Sequence, residues 1–236
     1  MKRIIFTLIV LLGGMSTYSQ ELQLHFDPRH GLHSDVAPRN YLTATFQMFK
    51  PDKWGSTFMF VDLDFNQSRG NIGLAYMEIA RNFNLGKSPI KAHIEYNGGL
   101  VLGENTSGFS VPNAYLVGAS FVHAFSKDLF FETYLAYKYN AFNKVSNDVQ
   151  WTGTYTANLC QGKVTLTGFV DVWTENKNRD TGKGGKKVVL LTEPQFWYNY
   201  NKHLSVGTEI EISNNFYSHY DNKVYVCPTL AAKWTF

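Results

Sequence analysis

Twelve short runs of alternating apolar and polar residues constrain the fold of this chain more than any single motif does. Alternation with a period of two is the pattern of a β-strand that has one apolar face. The runs cover residues 21–27, 40–50, 54–65, 72–85, 90–102, 114–125, 129–142, 148–159, 164–175, 188–199, 203–213 and 223–236. The chain is therefore predicted to be all-β, with a single folded domain.

The connections between these runs are alternately short and long. Five are tight and rich in turn-forming residues, at 51–53, 86–89, 126–128, 160–163 and 200–202. Longer segments lie between them, at 28–39, 66–71, 103–113, 143–147, 176–187 and 214–222. Alternation within one strand fits a soluble sandwich equally well, but Greek-key crossings would break this order of connections. The pattern indicates a single antiparallel transmembrane β-barrel of about 12 strands, with its short turns in the periplasm.

The first nineteen residues have the organisation of a secretory signal peptide. Lys2 and Arg3 precede an apolar run at 4–14, which is shorter than the roughly 20 residues that a spanning helix needs. We expect cleavage after Ser19, which leaves residues 20–236 as an exported barrel domain. No later apolar run approaches the length of a spanning helix, so a membrane location requires a closed barrel.

Composition narrows the function classes. Aromatic residues make up 16% of the chain, more than a disordered segment carries. The formal charge of +3 falls to +1 without Lys2 and Arg3, which gives no basis for nucleic-acid binding. Cys160 and Cys227 fall in a predicted turn and well inside the last strand, too far apart for a disulfide. We expect both thiols to be unpaired, and we expect neither a metal ion nor a cofactor.

The final run ends on two aromatic residues at alternate positions. Phe236 is the last residue and Trp234 lies two residues earlier, as in strands that close bacterial outer-membrane barrels. We interpret this pair as a membrane-insertion signal for the barrel assembly machinery. Counting back along the strand predicts that Tyr225, Thr229 and Lys233 face inward.

The same alternation predicts an interior that is polar, aromatic and mainly acidic, the reverse of a soluble barrel. The faces of the first, sixth and tenth strands stay ambiguous. Twelve strands fall between about eight, which side chains can fill, and about sixteen, which leave a wide channel, so we expect a narrow path. The predicted solute-lining residues are Phe58, Phe60, Asp62, Tyr76, Glu78, Phe169, Asp171 and Trp173. Aromatic faces suit a flat ring and carboxylates accept hydrogen bonds from hydroxyls, although any one aromatic could simply fill space.

Short motifs along the chain give a family resemblance. They are Asn40-Tyr41-Leu42, Lys53-Trp54, Phe58 to Asp62, Met77-Glu78-Ile79 followed by Phe83, Gly168-Phe169, Asp171 to Trp173, and Phe236. In these residues the chain resembles the nucleoside-specific Tsx channels of bacterial outer membranes and related uncharacterised outer-membrane proteins. The resemblance implies a monomeric twelve-stranded barrel around a narrow nucleoside path. It implies pore-lining roles at Phe58, Phe60, Asp62, Glu78, Phe169, Asp171 and Trp173.

The predicted function is passive diffusion of small neutral solutes, above all nucleosides, across the cell outer membrane of a Gram-negative bacterium. Membrane lipids and lipopolysaccharide would surround the barrel. Two alternatives stay open. A closed barrel could bind a surface partner through its loops, with the basic loop at 176–187 contacting the phosphates of lipopolysaccharide. An outer-membrane lipid hydrolase would need a serine and a histidine paired on the outer wall, and the chain has no Gly-x-Ser-x-Gly motif.

Overall fold

The computed structural model describes residues 19–104, 107–217 and 222–236, where β-strands make up most of the regular structure. The predicted signal peptide, residues 1–19, lies outside the described residues apart from Ser19. The strand segments are β1 Ser19–Asp27, β2 Tyr41–Asp52, β3 Gly55–Asp64, β4 Leu74–Asn84, β5 Ile90–Leu102, β6 Gly108–Ser126, β7 Leu129–Asn140, β8 Ser146–Leu159, β9 Val164–Asn176, β10 Lys186–Thr192, β11 Gln195–Asn199, β12 Leu204–Asn214, β13 Val224–Pro228 and β14 Leu230–Thr235. The short helix α1 spans Arg29–Leu32, and 3-10 turns span Ser68–Gly70 and Cys160–Gly162.

Within the described ranges these fourteen segments form twelve wall strands, because β10 with β11, and β13 with β14, are each one strand with a local break. Thr192 lies opposite Val170 and Gln195 lies opposite Thr167, so the register against β9 is the same on both sides of the first break. Pro194 lies in this break and has no N–H to donate to a neighbouring strand. The interruption is therefore a missing hydrogen bond rather than a change of direction.

The last strand breaks at Thr229 for a related reason. Pro228, the residue before the break, cannot donate a backbone hydrogen bond. At the break, the Thr208 hydroxyl of the neighbouring strand donates to the Thr229 carbonyl oxygen at 2.6 Å. The register against β12 is again unchanged across the break. The final strand predicted at 223–236 is thus present with one local irregularity.

The sheet closes because its first and last strands pair with each other. β14 pairs with β1, with Trp234 opposite Leu22, and pairs with β12 on its other side. The remaining wall strands pair antiparallel with their neighbours in the chain, so the described wall has no open edge. The prediction of an all-β, twelve-stranded antiparallel barrel is confirmed.

The tight turns lie at one end of the barrel, the turn end, together with the start of β1 and the end of β14. The longer connections lie at the opposite end, the loop end. β6 begins at Gly108 rather than at the predicted residue 114, because its first residues pair with the end of β5 across a bulge near Asn97. Residues 108–113 of the predicted loop at 103–113 therefore belong to β6, since pairing satisfies backbone groups that a loop would leave to water.

The two cysteines lie in different parts of the barrel. Cys160 is exposed in the 3-10 turn between β8 and β9, whereas Cys227 is buried on the inward face of β13. Both thiols are free. The barrel wall keeps these two positions apart, so neither contributes a covalent link to its stability.

The barrel is polar inside and apolar outside. On β1, Gln23 and His25 point inward and are 1% and 3% exposed, whereas Leu22 and Leu24 point outward and are 38% and 50% exposed. The ambiguous strands are resolved in the same way: odd-numbered residues face inward on β1 and β10, and even-numbered residues do so on β6 between Ala114 and Ser120. An exterior of this kind suits hydrocarbon rather than water.

No helix in the described part of the chain combines the length and the apolar character needed to cross a membrane.

Gly207 allows β12 to approach β11 closely. A Cβ atom at this position would lie 2.0 Å from the Phe196 carbonyl oxygen and 2.8 Å from the Trp197 ring. We expect Gly207→Ala to destabilise the folded barrel by about 1–3 kcal/mol, because backbone must move to relieve the contact. Heat-dependent migration of detergent-folded protein on a denaturing gel measures the effect. Gly31→Ala is the matched control, since a Cβ there would meet nothing closer than 3.8 Å. Equal transition temperatures for the two variants would contradict the prediction.

Candidate functional site

Three aromatic side chains form a row on the inner wall of β3 and β4. The ring centroid of Phe60 lies 6.1 Å from that of Phe58 and 6.1 Å from that of Tyr76. All three occupy inward positions of paired strands and all three are partly exposed. These residues are the aromatic row. Their ring faces are therefore open in part to the lumen.

Two carboxylates lie beside the aromatic row on the same strands. Asp62 is opposite Tyr76, and Glu78 is opposite Phe60. The Thr45 hydroxyl donates to Asp62 at 2.5 Å, and the Tyr76 hydroxyl donates to Glu78 at 2.7 Å. Each carboxylate keeps lone pairs for additional donors. This wall thus combines aromatic faces with hydrogen-bond acceptors.

Phe169 and Asp171 occupy the inner wall of β9, five strands away from β4 around the barrel. Both side chains are partly exposed. The Thr152 hydroxyl donates to Asp171 at 2.5 Å. Asp171 is near enough to Glu78 for the two groups to interact electrostatically. The predicted residues of β4 and β9 therefore face the same lumen.

Trp173 also points inward, but it is packed rather than open. Only 8% of the residue is exposed, the least access among the eight predicted lining residues. Its Nε1 donates to Glu175 at 3.1 Å, Lys138 Nζ lies 4.4 Å from the ring centroid, and Phe216 packs edge-on at 6.1 Å. Its ring is consequently less available to a solute than Phe60 or Phe169.

Trp234 and Phe236 lie on the outside of the barrel at the turn end. Trp234 is 46% exposed and stacks on His203, with ring centroids 5.2 Å apart. Phe236 is 64% exposed, and its backbone N–H donates to the Gln20 carbonyl oxygen at 3.0 Å. Exposed aromatic side chains at the end of the wall are typical of a membrane interface. Their role as an insertion signal stays a prediction.

A buried hydrogen-bond network braces the wall from β4 to β7. The His93 ring stacks on Tyr134 at 4.0 Å and contacts Asn82 at 2.9 Å and Glu95 at 3.1 Å. The Tyr134 hydroxyl donates to Glu95 at 2.8 Å. Alternation in the sequence places these side chains inward, but their partners depend on register. The network orders one side of the lumen without covering the aromatic row.

The connection between β1 and β2 folds back over the loop end, which the sequence did not predict. Arg29 in α1 lies 2.6 Å from Asp27 and 3.2 Å from Glu211 on β12. It also donates to the Tyr217 hydroxyl at 2.7 Å. The Arg29 side chain is 16% exposed and the two carboxylates are at most 8% exposed, so this is a buried ion-pair network. Residues 28–40 are the inner loop.

A second group of contacts ties the inner loop to β13. His33 Nε2 lies 3.1 Å from the Val226 carbonyl oxygen, and the His33 ring packs edge-on against Tyr225 at 5.2 Å. Asp35 accepts hydrogen bonds from Lys223 and from the Tyr225 hydroxyl. These bonds, that from Lys223 first, lower the pKa of Asp35 to about 2. The tether is therefore complete above the ordinary aspartate pKa of 3.8 and is lost only as the pH falls toward 2.

The inner loop contacts inward-facing residues at the loop end, and no periodic pattern in the sequence predicts these contacts. The charge of the segment does indicate an inward contact. Its basic residues follow a strand that ends on inward-facing Asp27, and they are Arg29, His30, His33 and Arg39. A cationic loop beside an acidic interior is attracted to it. Glu211 is remote in the chain from Arg29, so only the closed barrel brings these two residues together.

The turn end opens into a cavity of about 350 Å³. Lys163, Lys202 and Lys233 line it together with amide and hydroxyl side chains. Lys233 is 8% exposed and lies 3.5 Å from Glu21. This mouth is basic, in contrast with the acidic interior.

Barrel carboxylates form ion pairs with three of the five basic residues in the predicted loop at 176–187, of which Lys186 and Lys187 belong to β10 in the structure. Arg179 lies 2.8 Å and Lys187 lies 3.5 Å from Glu175, and Lys186 lies 2.7 Å from Asp148. Much of the positive charge in this loop is therefore matched within the protein. Binding of lipopolysaccharide phosphates by this loop stays a prediction. The sequence suggested five basic side chains for it, but three of them already form ion pairs within the protein.

Histidine side chains contact groups other than serine in the described ranges. His203 Nδ1 lies 2.7 Å from the Thr235 carbonyl oxygen, and His25 Nδ1 lies 3.0 Å from the Thr229 hydroxyl. His123, on the outer wall, packs against two phenylalanine rings. None of the histidines seen in residues 19–104, 107–217 and 222–236 bonds a serine, the pair that a hydrolase on the outer wall would use.

Comparisons with known proteins place the barrel among outer-membrane proteins. A family model described as "Domain of unknown function (DUF5020)" matches residues 19–236. No curated protein matches the chain. The fold is similar to that of the NanC porin, with a TM-score of 0.59 and 12% identity, covering 92% of this chain and 100% of that one. It is also similar to the KdgM porin, with a TM-score of 0.50 and 9% identity, covering 92% and 99%.

A KdgM porin in complex with disordered oligogalacturonate gives a TM-score of 0.51 at 9% identity, again covering 92% and 99% of the two chains. At these identities the likeness concerns the fold. Together with the apolar exterior of the barrel, it confirms the predicted outer-membrane location. None of these descriptions names a nucleoside or a Tsx channel. The comparisons support a β-barrel similar in fold to the NanC and KdgM porins, and the resemblance to Tsx channels stays a prediction.

Proposed function

The chain belongs to the family described as a domain of unknown function (DUF5020), and we propose that it is a passive outer-membrane channel for small neutral solutes. The expected solutes carry a flat ring and hydroxyl groups, and nucleosides are the class that fits best. The observation that carries this proposal is the partly exposed aromatic row with Asp62 and Glu78 beside it on the inner wall.

Stacking and hydrogen bonding would act together along this wall. A solute ring can stack on Phe58 or Phe60 while its hydroxyl groups donate to Asp62 or Glu78. Phe169 and the neighbouring aspartate on β9 repeat the combination of ring and carboxylate on the facing wall. Each contact is weak, which lets the solute leave as readily as it enters.

The two ends of the path would treat a solute differently. The loop end faces the cell exterior and the turn end faces the periplasm in a barrel of this orientation. At the outside, the inner loop restricts the entrance through the Arg29 network. At the periplasmic mouth, the cavity is lined by lysine side chains and is therefore basic. We propose that the channel acts as a monomer, with its apolar exterior in contact with membrane lipids and lipopolysaccharide.

Acidic solutes fit this interior poorly. The KdgM porin was described with oligogalacturonate, a chain of acidic sugars. In the present protein Asp62, Glu78 and Asp171 face the lumen, and like charges repel. Neutral ring-bearing solutes are therefore favoured over acidic sugars and over nucleotides.

Proteoliposomes carrying the purified protein are expected to admit nucleosides faster than neutral sugars of similar mass, because only the nucleoside ring can stack on the aromatic row. Swelling rates under matched osmotic gradients measure this, with protein-free vesicles as the control. Equal rates for both solutes would refute the preference for nucleosides, while the proposal of a channel would still stand. Rates equal to those of protein-free vesicles would refute the channel itself.

A further inference from the structure

Carboxylates inside the barrel fall into two groups with different partners. Those near the strand ends are ion-paired: Glu21 lies 3.5 Å from Lys233, and Asp27 and Glu211 share Arg29. Asp148 and Glu175 likewise meet lysine or arginine at the loop end. These pairs cancel charge at the two rims of the lumen.

A second group has neutral partners instead. Asp64, at the loop end of β3, accepts a hydrogen bond from the Thr43 hydroxyl at 2.6 Å. Away from the rims, the group has one member on each of β3, β4, β5, β7, β9 and β12, and so surrounds the lumen. These members are Asp62, Glu78, Glu95, Glu132, Asp171 and Glu209, the interior acids. Each accepts a hydrogen bond from a threonine or tyrosine hydroxyl or from a side-chain amide.

Neutral donors orient the interior acids without cancelling their charge. In the described ranges, no lysine or arginine forms an ion pair with any of the six. The nearest basic side chains are His93, 3.1 Å from Glu95, and His25, 3.9 Å from Glu209. Lys138 also interacts with the group, but its Nζ donates to Gln150 at 2.6 Å and lies over an indole ring. Acids therefore outnumber cations in this part of the lumen.

Two buried oxygen atoms on β5 lack a hydrogen-bond partner within the described protein. They are Glu95 Oε1 and Asn97 Oδ1, in residues that are 7% and 6% exposed. The two side chains are neighbours on the inward face, and Asn97 lies opposite Glu78. Buried acceptors are almost always satisfied in proteins. Two unsatisfied acceptors beside a carboxylate point to a donor or a cation that arrives from the lumen.

We propose that the interior acids make the lumen a cation-selective passage, with Glu78, Glu95 and Asn97 forming its strongest cation-attracting position. Small inorganic cations and protonated amines are the class that it favours. This inference rests on the proposed channel and extends it from neutral solutes to ions, among which the lumen favours cations over anions. The aromatic row supports it, because the rings of Phe60 and Tyr76 lie beside Glu78 on the same inner wall and aromatic rings attract cations.

Reversal potentials in planar bilayers under a KCl gradient test the proposal. We expect a permeability ratio of K⁺ over Cl⁻ of about five or more, the factor that one carboxylate charge about 4 Å away supplies in water. Glu78→Gln and Asp171→Asn should each move the ratio toward one. Both substitutions keep a side-chain oxygen that can accept the existing hydrogen bond.

Asp128→Asn is the matched control, because Asp128 is half exposed in a turn outside the lumen and should leave the ratio unchanged. Folding of each variant is checked first by its heat-dependent gel shift, and either lumen variant alone is sufficient for the test. Conductance with a ratio of one or less would overturn the cation selectivity and leave the channel intact. A high ratio that neither lumen variant changes would overturn the assignment to these residues. An absence of conductance would overturn the proposed channel, and this inference with it.

Discussion

Arg29→Ala is expected to destabilise the barrel by about 3–5 kcal/mol, because it leaves buried carboxylates without a counter-charge. Arg29 is the partner of both Asp27 and Glu211, which are at most 8% exposed. The same substitution should raise single-channel conductance, since the inner loop would lose its anchor to β12. Thermal unfolding in detergent and bilayer recordings on the same preparation measure the two effects.

A second arginine of the inner loop provides the control. Arg39 pairs with Glu104 at 3.6 Å, but their side chains are 41% and 46% exposed. An exposed pair of this kind contributes about 0–1 kcal/mol, so Arg39→Ala should change stability and conductance little. If Arg29→Ala and Arg39→Ala behaved alike, the buried network would not be what holds the inner loop in place.

Phe60→Ala is expected to slow nucleoside flux about two- to tenfold, which corresponds to the ~0.5–1.5 kcal/mol of one aromatic pair. Phe60 is the central ring of the aromatic row and contacts both Phe58 and Tyr76. Asp62→Ala should also alter flux, because it removes an acceptor beside the row. Initial uptake of radiolabelled nucleoside by proteoliposomes is the measurement, with neutral sugar uptake recorded in parallel.

The outer wall supplies a matched aromatic control for Phe60. Phe46 lies on the neighbouring strand β2 and points outward, opposite Val61. Phe46→Ala removes the same ring from the lipid side and should leave flux unchanged. An unchanged flux in folded Phe60→Ala protein would mean that the aromatic row does not contact the solute. A fall in sugar uptake equal to that of nucleoside would indicate a change in pore width instead of a lost stacking contact.

Most of the wall could be predicted from the sequence because strand alternation is a local property. Glu209 and Glu211 alternate with Ile210 and Ile212, and this alone separates an inner from an outer face. The sequence also predicted that Phe60, Asp62, Glu78 and Asp171 would share the interior. It could not predict that Asp171 interacts with Glu78, since that depends on barrel diameter and on the stagger between strands.

The loop end was harder to predict because its contacts are remote in the chain. The sequence gives residues 28–39 as a loop, but nothing periodic indicates that the chain folds inward there. The ion pair between Arg29 and Glu211 forms because β1 lies two strands from β12 after closure. The basic loop before β10 is a similar case, since Arg179 and Lys187 both meet Glu175 only when the strands are in register.

By itself, the sequence determined the strand number, the two faces of most strands and the alternation of turns and loops, because each follows from the period of two and from local turn chemistry. Only the tertiary structure decided how these pieces meet. Closure between β1 and β14 sets which side chains oppose one another across the lumen. It also lets the inner loop reach β12 and leaves the interior acids with neutral partners. Such contacts join residues far apart in the chain, and their distances are fixed by the diameter and register of the closed sheet.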